Sequence, residues 1–70
     1  MADTLNLEVN GEALEVAGGA TVADVVDIIG CGQRGVAVAV NSELVRRAEW
    51  STAELLDGDQ VEILHAVAGG

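Results

Sequence analysis

Leu5-Asn6-Leu7-Glu8-Val9-Asn10-Gly11-Glu12-Ala13-Leu14-Glu15-Val16 is the stretch that decides the fold. Leu5, Leu7 and Val9 alternate with Asn6 and Glu8, the period of two that marks a half-buried strand. Asn10-Gly11 follows, and Asn-Gly is the strongest short hairpin signal because both central residues of a type I′ turn need positive φ. A second strand is expected from Glu12 to Val16. Across a two-residue loop Leu7 faces Leu14 and Leu5 faces Val16, so both apolar sets fall on one face. Such a face has to be covered by whatever comes next in the chain.

The next segment supplies the cover. Ala17-Gly18-Gly19-Ala20 breaks the alternation, and Thr21 offers a hydroxyl N-cap with Asp24 three residues on, close to a capping box. Val22, Val25, Val26 and Ile29 then recur at i, i+3, i+4 and i+7, one stripe of an amphipathic helix that Gly30 ends. β-branched residues are poor helix formers in isolation, so this helix needs a sheet beneath it. Beyond the loop Cys31-Gly32-Gln33-Arg34-Gly35, alternation returns over Val36–Val40. Asn41-Ser42 reads as a turn and Glu43-Leu44-Val45 as a short return strand. Ser51 with Glu54 has capping-box spacing, which predicts a helical turn before Leu55-Leu56. Asp57-Gly58 is a turn, and a last strand from about Gln60 to His65 points Val61 and Ile63 inward.

This order predicts a two-layer α+β domain with a right-handed crossover. The expected fold is a β-grasp, ubiquitin-like, with one main helix held across a mixed sheet of four to five strands. First and last strands pair parallel at its centre. Residues 1–65 form the domain and 66–70 a flexible tail leaving the middle of the sheet.

Composition narrows the function. The chain has 70 residues, half of them hydrophobic, with one cysteine and no proline. A lone cysteine excludes an internal disulfide, and the length leaves no room for a second domain. Twelve acidic residues against three arginines give a formal charge of −9. That surface repels phosphate backbones and anionic lipid, so no nucleic-acid or membrane partner is expected. No apolar run approaches the roughly 18 residues of a bilayer span, and Met1-Ala2-Asp3-Thr4 lacks the look of a signal peptide, so a cytoplasmic location is expected.

Few residues offer chemistry. Cys31 sits in a glycine-rich loop far in sequence from His65, the only histidine, so no nucleophile–base pair is indicated. One cysteine and one histidine cannot supply a structural zinc site, and no metal is expected. Gly30, Gly32 and Gly35 follow a helix rather than a strand, and no lysine accompanies them, so they read as a helix cap and turn glycines instead of a phosphate loop. The acidic residues read as a solvated shell whose further use is docking to a basic partner. Trp50, the sole aromatic, is expected to pack over the short helical segment. Gly69-Gly70 stands apart. It is either a frayed end or cloning scar, or a slim approach by which the backbone enters a narrow channel and presents an unhindered α-carboxylate, with Ala66 and Ala68 keeping that approach thin.

Asn10-Gly11-Glu12, Thr21-Val22-Ala23-Asp24, Val38-Ala39-Val40-Asn41, Arg46/Arg47-Glu49-Trp50, Asp57-Gly58-Asp59-Gln60-Val61 and Ala66-Val67-Ala68-Gly69-Gly70 together resemble the thiamine-biosynthesis sulfur carriers, the ThiS family, over essentially the whole chain. Ser42 stands where a glycine is common in that family and Arg46 where a proline is frequent. The resemblance implies a carrier, not an enzyme. An E1-like adenylyltransferase using ATP and magnesium would adenylate the Gly70 carboxylate, with Gly69 granting access. A cysteine desulfurase or rhodanese-like donor would supply sulfur to make a thiocarboxylate, and thiazole synthase would receive it. No cofactor would be bound by the carrier itself. The related alternatives are a sulfur carrier for molybdopterin synthesis and a ubiquitin-like protein modifier. The strand pattern also turns Ala37, Ala39, Leu64 and Ala66 away from the helix. With Val67 and Ala68 they make a flat patch of mostly small residues, the expected partner-docking surface.

Overall fold

The hairpin forms in the expected register. A computed structural model of the chain describes residues 3–30 and 35–65. In it β1 (Thr4–Val9) and β2 (Glu12–Ala17) pair antiparallel with Leu5 opposite Val16 and Leu7 opposite Leu14. Asn10 (φ 51) and Gly11 (φ 83) take the left-handed conformations that a type I′ turn requires.

Helix α1 (Val22–Ile29) starts on a complete capping box. Thr21 Oγ1 accepts from the Asp24 N–H, and Asp24 Oδ2 accepts from the Thr21 N–H at 2.9 Å. Val22, Val25 and Val26 are fully buried, whereas Ile29 is 45% exposed. The eight-residue helix ends where its stripe ends. Ile29 is its last residue, beside the left-handed Gly30 that stops it, and overhangs the core.

Strands β3 (Val36–Val40) and β4 (Glu43–Val45) form a second hairpin around Asn41 (φ 51) and Ser42 (φ 72). The final strand β5 (Gln60–His65) lies between the hairpins, parallel to β1 and antiparallel to β3. The sheet order is β2-β1-β5-β3-β4, the β-grasp arrangement expected of the chain. Its inner face contributes Leu7, Val9, Val16, Val38, Val61 and Ile63 to a core that α1 closes.

One expected element is displaced. No helical turn starts at Ser51. The turn instead comes earlier, as a 3-10 helix over Arg47–Glu49, and Ser51-Thr52 merely reverse the chain. Trp50 and Leu55 are both buried. Between them residues 53–55 run extended against the entry to α1, with the Val22 N–H donating to the Ala53 carbonyl at 3.0 Å and the Leu55 N–H to Ala20 at 2.9 Å. Pairing with the helix start, including the Thr21–Glu54 bridge, outcompetes the local capping signal. Trp50, expected to pack over that helical segment, instead ends the 3-10 turn and is buried in the core, and its Nε1–H donates to the Val45 carbonyl at 3.0 Å.

Candidate functional site

The expected reactive end, Gly69 and Gly70, and the neighbouring Ala66, Val67 and Ala68 lie outside the described residues, as does Cys31. The strand that leads to them is fully placed. β5 occupies the middle of the sheet, and its last residue, His65, pairs with Val36 at the start of β3.

Four separate contacts fix the start of β5. The Asp57 carboxylate accepts from the Asn6 N–H at 2.7 Å, and the Gly58 N–H donates to the Asn6 carbonyl at 2.8 Å. Asp59 accepts from the Leu56 N–H at 2.8 Å and from Asn41 Nδ2 at 2.9 Å. The Asp57-Gly58-Asp59 turn is therefore an anchor that ties both hairpins to the root of β5, its carboxylates engaged by backbone and amide donors.

The two turn asparagines hold the strand itself. At Asn41 the main-chain N–H donates to the Gln60 carbonyl at 2.7 Å, while the Gln60 N–H returns to the side-chain Oδ1 at 3.0 Å. On the opposite edge the Asn10 N–H donates to Val61 at 2.9 Å. The Asn10 carboxamide then accepts from the Ile63 N–H at 2.8 Å and donates Nδ2–H to the Ile63 carbonyl at 3.2 Å. A left-handed residue at the head of a type I′ turn swings its own carbonyl out of the ladder, and in both hairpins a carboxamide takes that place.

The open face of the sheet divides in two. Ala37 lies opposite Leu64, and Ala39 lies between Glu62 and Leu44. Ala37 is exposed and Ala39 half-buried, while Leu64 and Leu44 are 65% and 72% exposed. Leu44 was missed in the sequence. The two-residue Asn41-Ser42 loop places it opposite Ala39 by the same register rule that placed Leu14 opposite Leu7. On the same face β1, β2 and β5 present the exposed Glu8, Glu15 and Glu62. An apolar half thus adjoins an acidic half.

The described residues include no group of three metal-ligating side chains, no buried polar residue and no buried polar side-chain atom lacking a partner. A groove at the hairpin tips is lined by Glu8, Asn10, Ser42, Gln60 and Glu62, none of them a nucleophile with a base beside it. Among the described residues no helix is long and apolar enough to cross a membrane.

The ThiS family model matches residues 7–70. The sulfur carrier protein ThiS of Escherichia coli is 34% identical over 61 residues, covering 87% of this chain and 92% of that protein. A thiazole synthase of Paramagnetospirillum magneticum is 32% identical over 66 residues, which cover 94% of this chain but only 20% of the synthase. The crystal structure of the thiamine biosynthesis protein (ThiS) from Geobacter metallireducens superposes with a TM-score of 0.79 at 32% identity, covering 94% of this chain and all of the other. Its solution structure gives 0.74.

Proposed function

This chain belongs to the ThiS family, and from that premise we propose that it carries sulfur for thiamine biosynthesis on the carboxylate of Gly70. The observation that carries the reading is the placement of β5. The strand leading to Gly69-Gly70 is the central one of the five-stranded sheet. A protein so built is a handle for its own C-terminal segment, acted on by other enzymes.

In the proposed cycle an E1-like adenylyltransferase binds ATP and magnesium. A Gly70 carboxylate oxygen attacks the α-phosphorus, pyrophosphate leaves, and the resulting acyl-adenylate has an electrophilic carbonyl. The terminal sulfur of a persulfide, supplied by a cysteine desulfurase or rhodanese-like donor, attacks that carbonyl and AMP departs. A second thiol cleaves the S–S bond, leaving the thiocarboxylate on Gly70 and a disulfide on the donor. Gly69 gives the backbone the slimness to enter the activating site. Thiazole synthase is the proposed acceptor, a reading favoured by the synthase of which one fifth resembles this chain.

Docking is assigned to the apolar half of the open face, Ala37, Ala39 and Leu64, joined by Leu44. Ala66, Val67 and Ala68 extend it in this reading. With Glu62 and Glu8 at its margin, the partner's matching surface is an apolar knob ringed by basic side chains.

Intact-mass measurement after incubation with an activating enzyme, ATP, magnesium and a persulfide donor tests the proposal. The expected product gains the mass difference of one oxygen exchanged for sulfur, localised to Gly70. An unchanged mass, or conjugates that disappear when lysines of other proteins are blocked, would refute it.

A further inference from the structure

The parallel ladder between β1 and β5 is short. It pairs Glu8 with Gln60 and Val9 with Val61, and its last main-chain bond runs from the Asn10 N–H to the Val61 carbonyl. In a continued parallel ladder the next two rungs would join the Ile63 N–H to the carbonyl of residue 10, and the N–H of residue 12 to the Ile63 carbonyl. The type I′ turn at Asn10-Gly11 removes both, because it carries residues 10–12 back into β2. The Asn10 carboxamide supplies both, its Oδ1 accepting from Ile63 and its Nδ2 donating to Ile63. One side chain thus lengthens β1 by the rungs its backbone lacks. On this edge it is also, among the described residues, the last hydrogen-bonding partner of β5 before the strand ends at His65. Without it residues 62–65 would be held on one side only, by β3, whose outer neighbour β4 is three residues long.

We propose that Asn10 is a positioning residue for the C-terminal segment: its carboxamide fixes where the rigid strand stops, and hence how far and in what direction Gly70 is presented. The inference rests on the carrier reading above. Every residue released from β5 is one that the activating enzyme must order for itself, at a conformational cost that appears as weaker productive binding and not as slower chemistry. Asn41 makes an internal control. It is the same residue type, at the same position of the same kind of turn, holding the same strand, but it engages Gln60 at the far end from the segment presented.

The test compares Asn10→Gly and Asn41→Gly in the full chain. Glycine keeps the left-handed backbone of each turn and deletes only the carboxamide. Amide hydrogen exchange on the isolated protein should show Ile63 losing about tenfold or more of its protection in Asn10→Gly, with Leu7 and Val16 unchanged. In pyrophosphate exchange catalysed by a ThiS-activating enzyme, the KM for Asn10→Gly should rise about tenfold with kcat within about twofold, whereas Asn41→Gly keeps the wild-type KM even at an equal loss of Tm. Asn10→Asp, which retains an acceptor for the Ile63 N–H, should fall between. Unchanged Ile63 protection would overturn the proposal, as would equal KM shifts in the two glycine variants, or lost protection with an unaltered KM. Wild-type protein that exchanges no pyrophosphate would overturn the carrier reading first, and the proposal with it, while the exchange pattern would still report on the clasp alone.

Discussion

Leu64→Asp separates docking from folding. Leu64 lies on the open face opposite Ala37 and keeps 65% of its surface exposed, so only about one third of its burial free energy is at stake. Full burial of a leucine is worth roughly 1.5–3 kcal/mol, which leaves about 0.5–1 kcal/mol lost from stability on substitution. Adding a few tenths for the weaker strand preference of aspartate gives about 1 kcal/mol. For a domain of this size that lowers Tm by about 4–8 °C, and the protein stays folded at assay temperature. An anchor residue removed from an interface centre costs about 2 kcal/mol or more, so the KM for the carrier in ATP–pyrophosphate exchange should rise about thirtyfold. Leu64→Asn isolates lost apolar contact from added charge. If docking is apolar, it should approach the aspartate variant. An unchanged KM in a folded Leu64→Asp protein would refute the docking assignment. So would a Tm drop several times larger than calculated, because Leu64 would then be acting as core.

Trp50→Phe removes a buried donor as well as volume, leaves the Val45 carbonyl without its indole partner, and should cost about 2–4 kcal/mol in urea unfolding followed by far-ultraviolet circular dichroism. Thr21→Ala and Asp24→Ala each break the reciprocal cap of α1 and should each cost about 1 kcal/mol. The double variant should cost less than their sum, which chemical denaturation of all three proteins checks. Ser42→Gly should stabilise by about 0.5–1 kcal/mol because Ser42 sits at φ 72, where a Cβ is disfavoured. Gly30→Ala should destabilise by about 1 kcal/mol for the converse reason at φ 77, and thermal melts of the pair should shift in opposite directions.

Where local chemistry and burial pattern agree, the sequence is a good guide. The first hairpin combines a turn that admits one type with a period-two pattern that admits one register, and its pairing follows. Thr21 and Asp24 cap α1 as their spacing predicts. Ser51 and Glu54 have the same spacing and make no helix, because residues 53–55 are taken by the entry to α1, a partner more than 30 positions away that no local window contains. Ile29 is exposed because the stripe predicts direction but not how far the sheet beneath it extends. Leu44 was legible from the second turn. The engagement of Asn10 and Asn41 with β5 was not, since it depends on which strand lies between the hairpins.

Among the described residues β5 is the strand that joins the two halves of the sheet. β1 and β3 are not paired with each other, so each hairpin has a free inner edge until Gln60–His65 slides between them. During synthesis this strand leaves the ribosome after the other four, and until then the hairpins and α1 cannot close a common core. A nascent chain therefore exposes unpaired edges until Gln60–His65 is in place. In the carrier cycle proposed above, completion of the fold and eligibility for loading would be one event, and ATP would not be spent on molecules that have yet to reach their native state.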